Sequence, residues 1–133
     1  MPGACPQCSQ GDSSTAAFDG TRLYTGGGAP SDGSGSSGGG TVEALDPTTG
    51  AILWRYVDFN GPVIAPISYA NGVVFAAGGT KVVALNASTG ALLWSATGAG
   101  FYGGIAISNG RIFVGDLAGN LYAYKIPVQL PGP

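Results

Sequence analysis

Two stretches of the chain are near copies of one another, and this constrains the fold more than any other feature. Val42 to Trp54 reads Val-Glu-Ala-Leu-Asp-Pro-Thr-Thr-Gly-Ala-Ile-Leu-Trp, and Val82 to Trp94 reads Val-Val-Ala-Leu-Asn-Ala-Ser-Thr-Gly-Ala-Leu-Leu-Trp. The offset is 40 residues (94 − 54), a spacing that belongs to repeat architectures rather than to a single irregular core. Within each copy a short apolar run, a polar turn and a second apolar run predict two strands joined by a tight reversal. Gly50 and Gly90 stand where a left-handed residue lets the chain turn without a Cβ clash.

The remaining turn signals fall into phase with these copies. Asn71-Gly72 and Asn109-Gly110 are hairpin dipeptides 38 residues apart (109 − 71), and Asp19-Gly20 marks a third. The predicted class is all-β, in four-stranded antiparallel units with about two- to five-residue connections, the composition of a propeller blade. The apolar runs Val63 to Tyr69, Val73 to Ala77 and Lys81 to Leu85 are nearly continuous, as expected for sheets covered on both faces. Pro66 interrupts the first of them, because proline cannot donate to a ladder.

The repeated unit resembles the pyrroloquinoline-quinone-type, or quinoprotein-like, β-propeller repeat. Its tryptophan-docking motif, Ala-x-Asp-x-x-Thr-Gly-x-x-x-Trp, is matched by Ala44, Asp46, Thr49, Gly50 and Trp54. Ala84, Asn86, Thr89, Gly90 and Trp94 match it again, with Asn in place of Asp. The resemblance implies that these residues hold blades together rather than touch a cofactor. Trp54 is expected to lay its indole on the turn backbone near Gly90, and Trp94→Ala is expected to prevent soluble folding.

On this reading residues 14–57 form blade 1, 62–97 blade 2 and 103–126 an incomplete blade 3. No Thr-Gly-x-x-x-Trp follows Leu121-Tyr122-Ala123-Tyr124, so blade 3 lacks its outer strand. The Gly-Asn-Leu-Tyr-Ala-Tyr stretch is similar to the C-terminal portion of longer family members, which suggests the C-terminal part of a larger propeller or a short relative. Blade 1 carries a Gly/Ser-rich insertion over 26–40, read as an extended loop at the rim. Residues 1–13 form an N-terminal segment, a candidate donor strand for blade 3, and 127–133 a proline-rich tail.

Composition excludes several classes. A net charge of −2 with five basic residues argues against a nucleic-acid partner. No apolar run reaches spanning length. Cys5 and Cys8 are the only cysteines and the chain has no His, so a zinc site would lack two ligands and a haem-attachment reading fails at Ser9. A local disulfide between Cys5 and Cys8, or a pair of thiols in a terminal segment, is the remaining reading.

Three functions follow. One is a non-catalytic repeat module that self-associates through open blade edges into a homo-oligomer or polymer, as a ring or an extracellular filament. A second is a fragment of a quinone-dependent dehydrogenase, for which the resemblance implies pyrroloquinoline quinone with calcium. Its candidate residues would be Asp46, Asp116, Arg111, Glu43 and the two Trp, each of which also has a plain structural reading. A third is a peptide-binding envelope scaffold. The first expects no cofactor and no catalytic residue. The resemblance implies an extracellular or periplasmic location, with which the cysteine pair is compatible.

Overall fold

The computed structural model describes residues 14–29, 38–101 and 103–125. The expected donor segment with Cys5 and Cys8, the centre of the Gly/Ser-rich insertion and the proline-rich tail lie outside these residues. Every described element is a strand, and the strands form three antiparallel sheets. Blade 1 comprises β1 (Ala17–Phe18), β2 (Leu23–Gly28), β3 (Gly40–Leu45) and β4 (Ile52–Tyr56) in sequential order. Blade 2 repeats this with β5 (Ser68–Ala70), β6 (Val73–Gly78), β7 (Lys81–Asn86) and β8 (Leu92–Thr97). Blade 3 has β9 (Ala106–Ser108), β10 (Arg111–Gly115) and β11 (Leu121–Lys125). The all-β propeller class, with two complete blades and one partial blade, is therefore correct.

Alternation along each strand sends successive side chains to opposite faces. One face of blade 1 contributes Tyr24, Val42, Ala44 and Trp54 to a core that the facing side of blade 2 completes with Val74, Ala76, Val83 and Leu85. The other face of blade 2, with Val73, Phe75, Ala77, Val82 and Ala84, forms a second core with Ile112 and Val114 of blade 3. Blade 2 is thus apolar on both sides, and all six residues of β6 are buried. This explains why its strands read as continuous apolar runs rather than as alternation.

The turns at one end of the blades follow the dipeptide signals closely at two places. Asn71 and Gly72 have φ of 48° and 80°, and Asn109 and Gly110 have 51° and 73°, the pair of left-handed residues that a type I′ turn needs. Asp19-Gly20 differs. The ladder stops at Phe18 and Leu23, leaving a four-residue loop. Its carboxylate accepts from the backbone N–H of Thr21 at 2.8 Å and of Arg22 at 2.6 Å, and this local capping replaces the tight turn.

Two further expectations are corrected. The Gly-rich insertion does not begin at residue 26 or end at residue 40. Gly26, Gly27 and Gly28 pair with Val42, Thr41 and Gly40 as regular ladder. They are strand because the neighbouring segment lies against them: a Cβ on Gly26 would stand 2.6 Å from the Cγ1 of Val63. Glycine here makes room for close packing rather than for flexibility. Likewise Val63–Ile67 are not ladder residues of blade 2, whose inner strand starts at Ser68. Pro66 leaves no donor for β6, and the segment bonds backwards to blade 1, Val63 N to Gly27 O and Ile67 N to Thr15 O, both at 3.0 Å.

Candidate functional site

The features with functional potential are the contacts between blades, and they start from the turn that follows the third strand. In blade 1 the Asp46 carboxylate accepts from Thr48 N at 2.8 Å, and Gly50 N donates to Asp46 O at 2.7 Å. In blade 2 the Asn86 side chain accepts from Ser88 N at 2.9 Å, and Gly90 N donates to Asn86 O at 2.7 Å. Thr49 and Thr89 accept from the N–H of Ala51 and Ala91, both at 3.2 Å. Ala44 lies opposite Trp54 and Ala84 opposite Trp94, and each ladder shifts register just after that alanine. A side-chain oxygen at the turn's first residue is the shared requirement, which is why Asp and Asn serve equally.

The two turns differ in what lies on them. The Trp54 indole is 9% exposed and its Nε1–H donates to Ala87 O at 2.8 Å. Its ring covers Gly90, where a Cβ would stand 2.7 Å from Cδ2 and Cε3. Tyr24 packs against it with centroids 6.0 Å apart and stacks on Tyr69 at 5.8 Å. The turn of blade 1 has no such cover: a Cβ on Gly50 would meet nothing within 4 Å. Trp94 is half-buried and meets Tyr124 edge-on at 4.8 Å. Blade 3 has no third turn among the described residues, so Trp94 has no glycine to cover.

Each segment that links one blade to the next also sends a phenylalanine inward. Phe59 is 3% exposed and Phe101 fully buried. Glycine at the neighbouring strand ends makes space for them: a Cβ on Gly78 would stand 2.8 Å from the Phe59 ring, and one on Gly98 would stand 2.5 Å from Phe101. Sequence reasoning passed over both rings. Their signal is a phenylalanine in each linker, 42 residues apart (101 − 59), followed by asparagine at Phe59 and preceded by glycine at Phe101.

Polar clasps close the opposite end. Lys81 of blade 2 reaches back to Asp58 Oδ2 at 2.8 Å and to the Tyr56 hydroxyl at 3.1 Å. Burial would lower its pKa, but these bonds outweigh that and raise it. Asp116 accepts from Ala99 N of the preceding linker, from Ala118 N and Asn120 N in its own loop, and from Asn120 Nδ2 and the Tyr122 hydroxyl. Desolvation would raise its pKa, but the donors, those of Asn120 foremost, hold the carboxyl far below the usual range. At the end of the docking turns, in blade 1, the Tyr24 hydroxyl donates to Asp19 at 2.6 Å. Burial first and this carboxylate second push the phenol up to about 12.

The Asp116 clasp gives a pH prediction. A carboxyl whose folded pKa is depressed stabilises the fold above its unfolded pKa, about 4, and loses that contribution as pH falls through its lower folded value. Melting temperature should therefore drop as pH falls below about 4, with blade 3 loosening first. Asp116→Asn should flatten that part of the profile. An unchanged acid slope in the variant would contradict the assignment.

The residues that a quinone and calcium would require do not converge. Glu43 holds Arg55 at 2.9 Å on the far face of blade 1. Asp116 is occupied by its five donors, and Trp54 is committed to Gly90 and Ala87. Arg111 is exposed at the opposite end from Asp116. Among the described residues no three His, Cys, Asp or Glu side chains come together as a metal site. The group does not fit these residues, and no chemistry is derived through it. No described helix is long and apolar enough to cross a membrane.

Comparison with known proteins agrees with this architecture. A family model described as the outer membrane protein assembly factor BamB matches residues 38–127. No curated protein sequence matches. Among solved structures, BamB from Moraxella catarrhalis is similar with a TM-score of 0.64 at 19% identity, over 84% of this chain and 32% of that one. The quinohemoprotein alcohol dehydrogenase from Comamonas testosteroni has a TM-score of 0.71 at 19% identity, over 90% of this chain and 20% of that one. The computationally designed Ika4 protein has a TM-score of 0.61 at 18% identity, over 84% of this chain and 64% of that one. The chain thus spans about a third of the BamB structure and a fifth of the dehydrogenase.

Proposed function

Since the chain belongs to the BamB family of PQQ-type propeller repeats, we propose that it is a non-catalytic blade module that associates with further copies of itself through open blade faces. The observation that carries this reading is that, among the described residues, nothing packs on the outer faces of blades 1 and 3, whereas blade 2 is buried on both sides. The described residues form two four-stranded blades and one three-stranded blade, and propellers pack typically about 4–8 such blades face to face. Association that closes gives a ring, and association that does not close gives a filament. The docking motif, Ala44 to Trp54 and Ala84 to Trp94, supplies the cohesion between blades. The module works outside the cytoplasm, either extracellularly or in the periplasm, and needs no cofactor for this role.

Light scattering coupled to size exclusion tests the reading. The 13.1 kDa chain should elute either as a small integer multiple of that mass or as a large species with ordered fibres. A monomer across the accessible concentration range would refute it. The family's description as an assembly factor favours a second reading, a scaffold that takes a partner peptide on the open edge of β11. A stoichiometric foreign protein captured from envelope extract, with the chain itself monomeric, would favour that scaffold.

A further inference from the structure

Blades 2 and 3 carry the same Asn-Gly dipeptide in the same two-residue turn, but the two copies stand in different local surroundings. An asparagine followed by glycine holds a latent reaction. The backbone nitrogen of the glycine attacks the side-chain Cγ of the asparagine, ammonia leaves, and a five-membered succinimide closes. Water then opens the ring at either of its two carbonyls. The products are aspartate and isoaspartate, with one water taken up for each ammonia released. The attack needs a glycine N–H that can give up its proton and a side chain free to swing onto the nitrogen. It also needs an unhindered approach, which glycine provides by lacking a Cβ.

Both asparagines are exposed, Asn71 in a blade that is covered on both faces and Asn109 in blade 3. Exposure of the side chain is thus a property of the turn itself. The N–H groups differ. Gly72 N donates to the Tyr69 hydroxyl at 3.1 Å. Tyr69 pairs with Val74, one rung beyond the Ala70–Val73 pair that closes the turn. Its ring stacks on Tyr24 at 5.8 Å, which fixes the hydroxyl over the turn. In blade 3 Ser108 and Arg111 close the turn, and the next rung pairs Ile107 with Ile112. Ile107 therefore holds the place of Tyr69 and offers no acceptor. Among the described residues nothing accepts from Gly110 N, and a Cβ on Gly110 would meet nothing within 4 Å.

We propose that Asn109 is a site of spontaneous modification, converting to aspartate and isoaspartate in the folded protein, and that the Tyr69 hydroxyl protects Asn71 from the same reaction. The bond to Tyr69 must break before Gly72 N can lose its proton and turn toward Cγ. Gly110 N has no such bond to break. Isoaspartate routes the main chain through the former side chain and adds a methylene between residues 109 and 110. A two-residue type I′ turn has no room for the extra atom. Three rungs depend on that turn, Ser108 with Arg111, Ile107 with Ile112 and Ala106 with Phe113. Conversion therefore frees β9 from β10 and leaves the β10–β11 ladder in place.

Peptide mapping by mass spectrometry, on the full chain held in mildly alkaline buffer, tests the assignment. The amide-to-acid mass change follows each asparagine, and an isoaspartyl methyltransferase labels the isoaspartate. The same measurement in urea removes the fold but keeps the neighbours in sequence, Arg111 after one dipeptide and Val73 after the other. The ratio of the Asn109 rate to the Asn71 rate should be about two- to tenfold higher in the native protein than in urea, the worth of one net hydrogen bond. Tyr69→Phe keeps the ring and should speed Asn71 by a similar factor while leaving Asn109 unchanged. Ile107→Tyr should slow Asn109 and leave Asn71 unchanged, a result that loss of stability does not mimic. Equal ratios in the native protein and in urea would overturn the assignment. So would an Asn71 rate that ignores Tyr69→Phe, or an Asn109 that stays intact in the native protein while the unfolded chain converts.

Discussion

Gly90→Ala should destabilise the chain by about 3 kcal/mol, whereas Gly50→Ala should cost only about 1 kcal/mol. The two glycines occupy the same turn, with φ of 76° and 74°, so the strain of a Cβ in the left-handed region is common to both. That strain is about 1–2 kcal/mol, offset in part by the lower chain entropy of the unfolded alanine variant. The surroundings differ. At Gly50 the added methyl enters open space, while at Gly90 it meets the Trp54 indole at 2.7 Å. Overpacking of that kind adds roughly 1–3 kcal/mol, because neither the ring nor the turn backbone has room to retreat. Urea unfolding of the two variants measures the difference directly. Equal losses would mean that the indole does not depend on the bare face of Gly90.

Trp54→Ala should cost roughly 3–5 kcal/mol, a large part of a small domain's stability, and leave the protein poorly soluble. The indole fills the core between blades 1 and 2 and satisfies the Ala87 carbonyl, so its removal leaves a cavity and an unpaired acceptor. Trp54→Phe keeps most of the volume and should lose about 1 kcal/mol for the bond beyond its packing loss. The motif alone assigns Trp94 the same weight, and the expectation that Trp94→Ala prevents folding follows from that. The structure moves the weight to Trp54, because Trp94 is half-buried against Tyr124 and no described residue sets a glycine turn beneath it. Trp94→Ala should cost less than half as much as Trp54→Ala. Matching melting temperatures for the two alanine variants would contradict the distinction.

Much of this was legible in the residues. The 40-residue offset between Trp54 and Trp94, with Asn-Gly at 71–72 and 109–110, fixed the blade count and the strand order. Turn chemistry is local, and local signals survive in sequence. What depends on a neighbouring blade did not survive. Gly26 to Gly28 look like linker because composition cannot distinguish a glycine needed for freedom from one needed for close approach. Phe59 and Phe101 sit in irregular segments, where no periodicity marks them as buried. Pro66 gave a correct warning about β5, but not that the residues before it would bond to blade 1.

The backward bonds of that linker also bear on how the molecule comes apart. Val63 and Ile67 donate to Gly27 and Thr15, and the Ser14 hydroxyl donates to Ala65 O at 2.8 Å. The unit that opens cooperatively is therefore offset from the unit that repeats in sequence. Blade 1 and the first residues assigned to blade 2 should exchange their amide protons together, while the β5 to β8 ladder opens separately. Excision at the repeat boundary would cut through such a unit, and a blade transplanted between proteins of this kind should carry the following linker as far as Ile67.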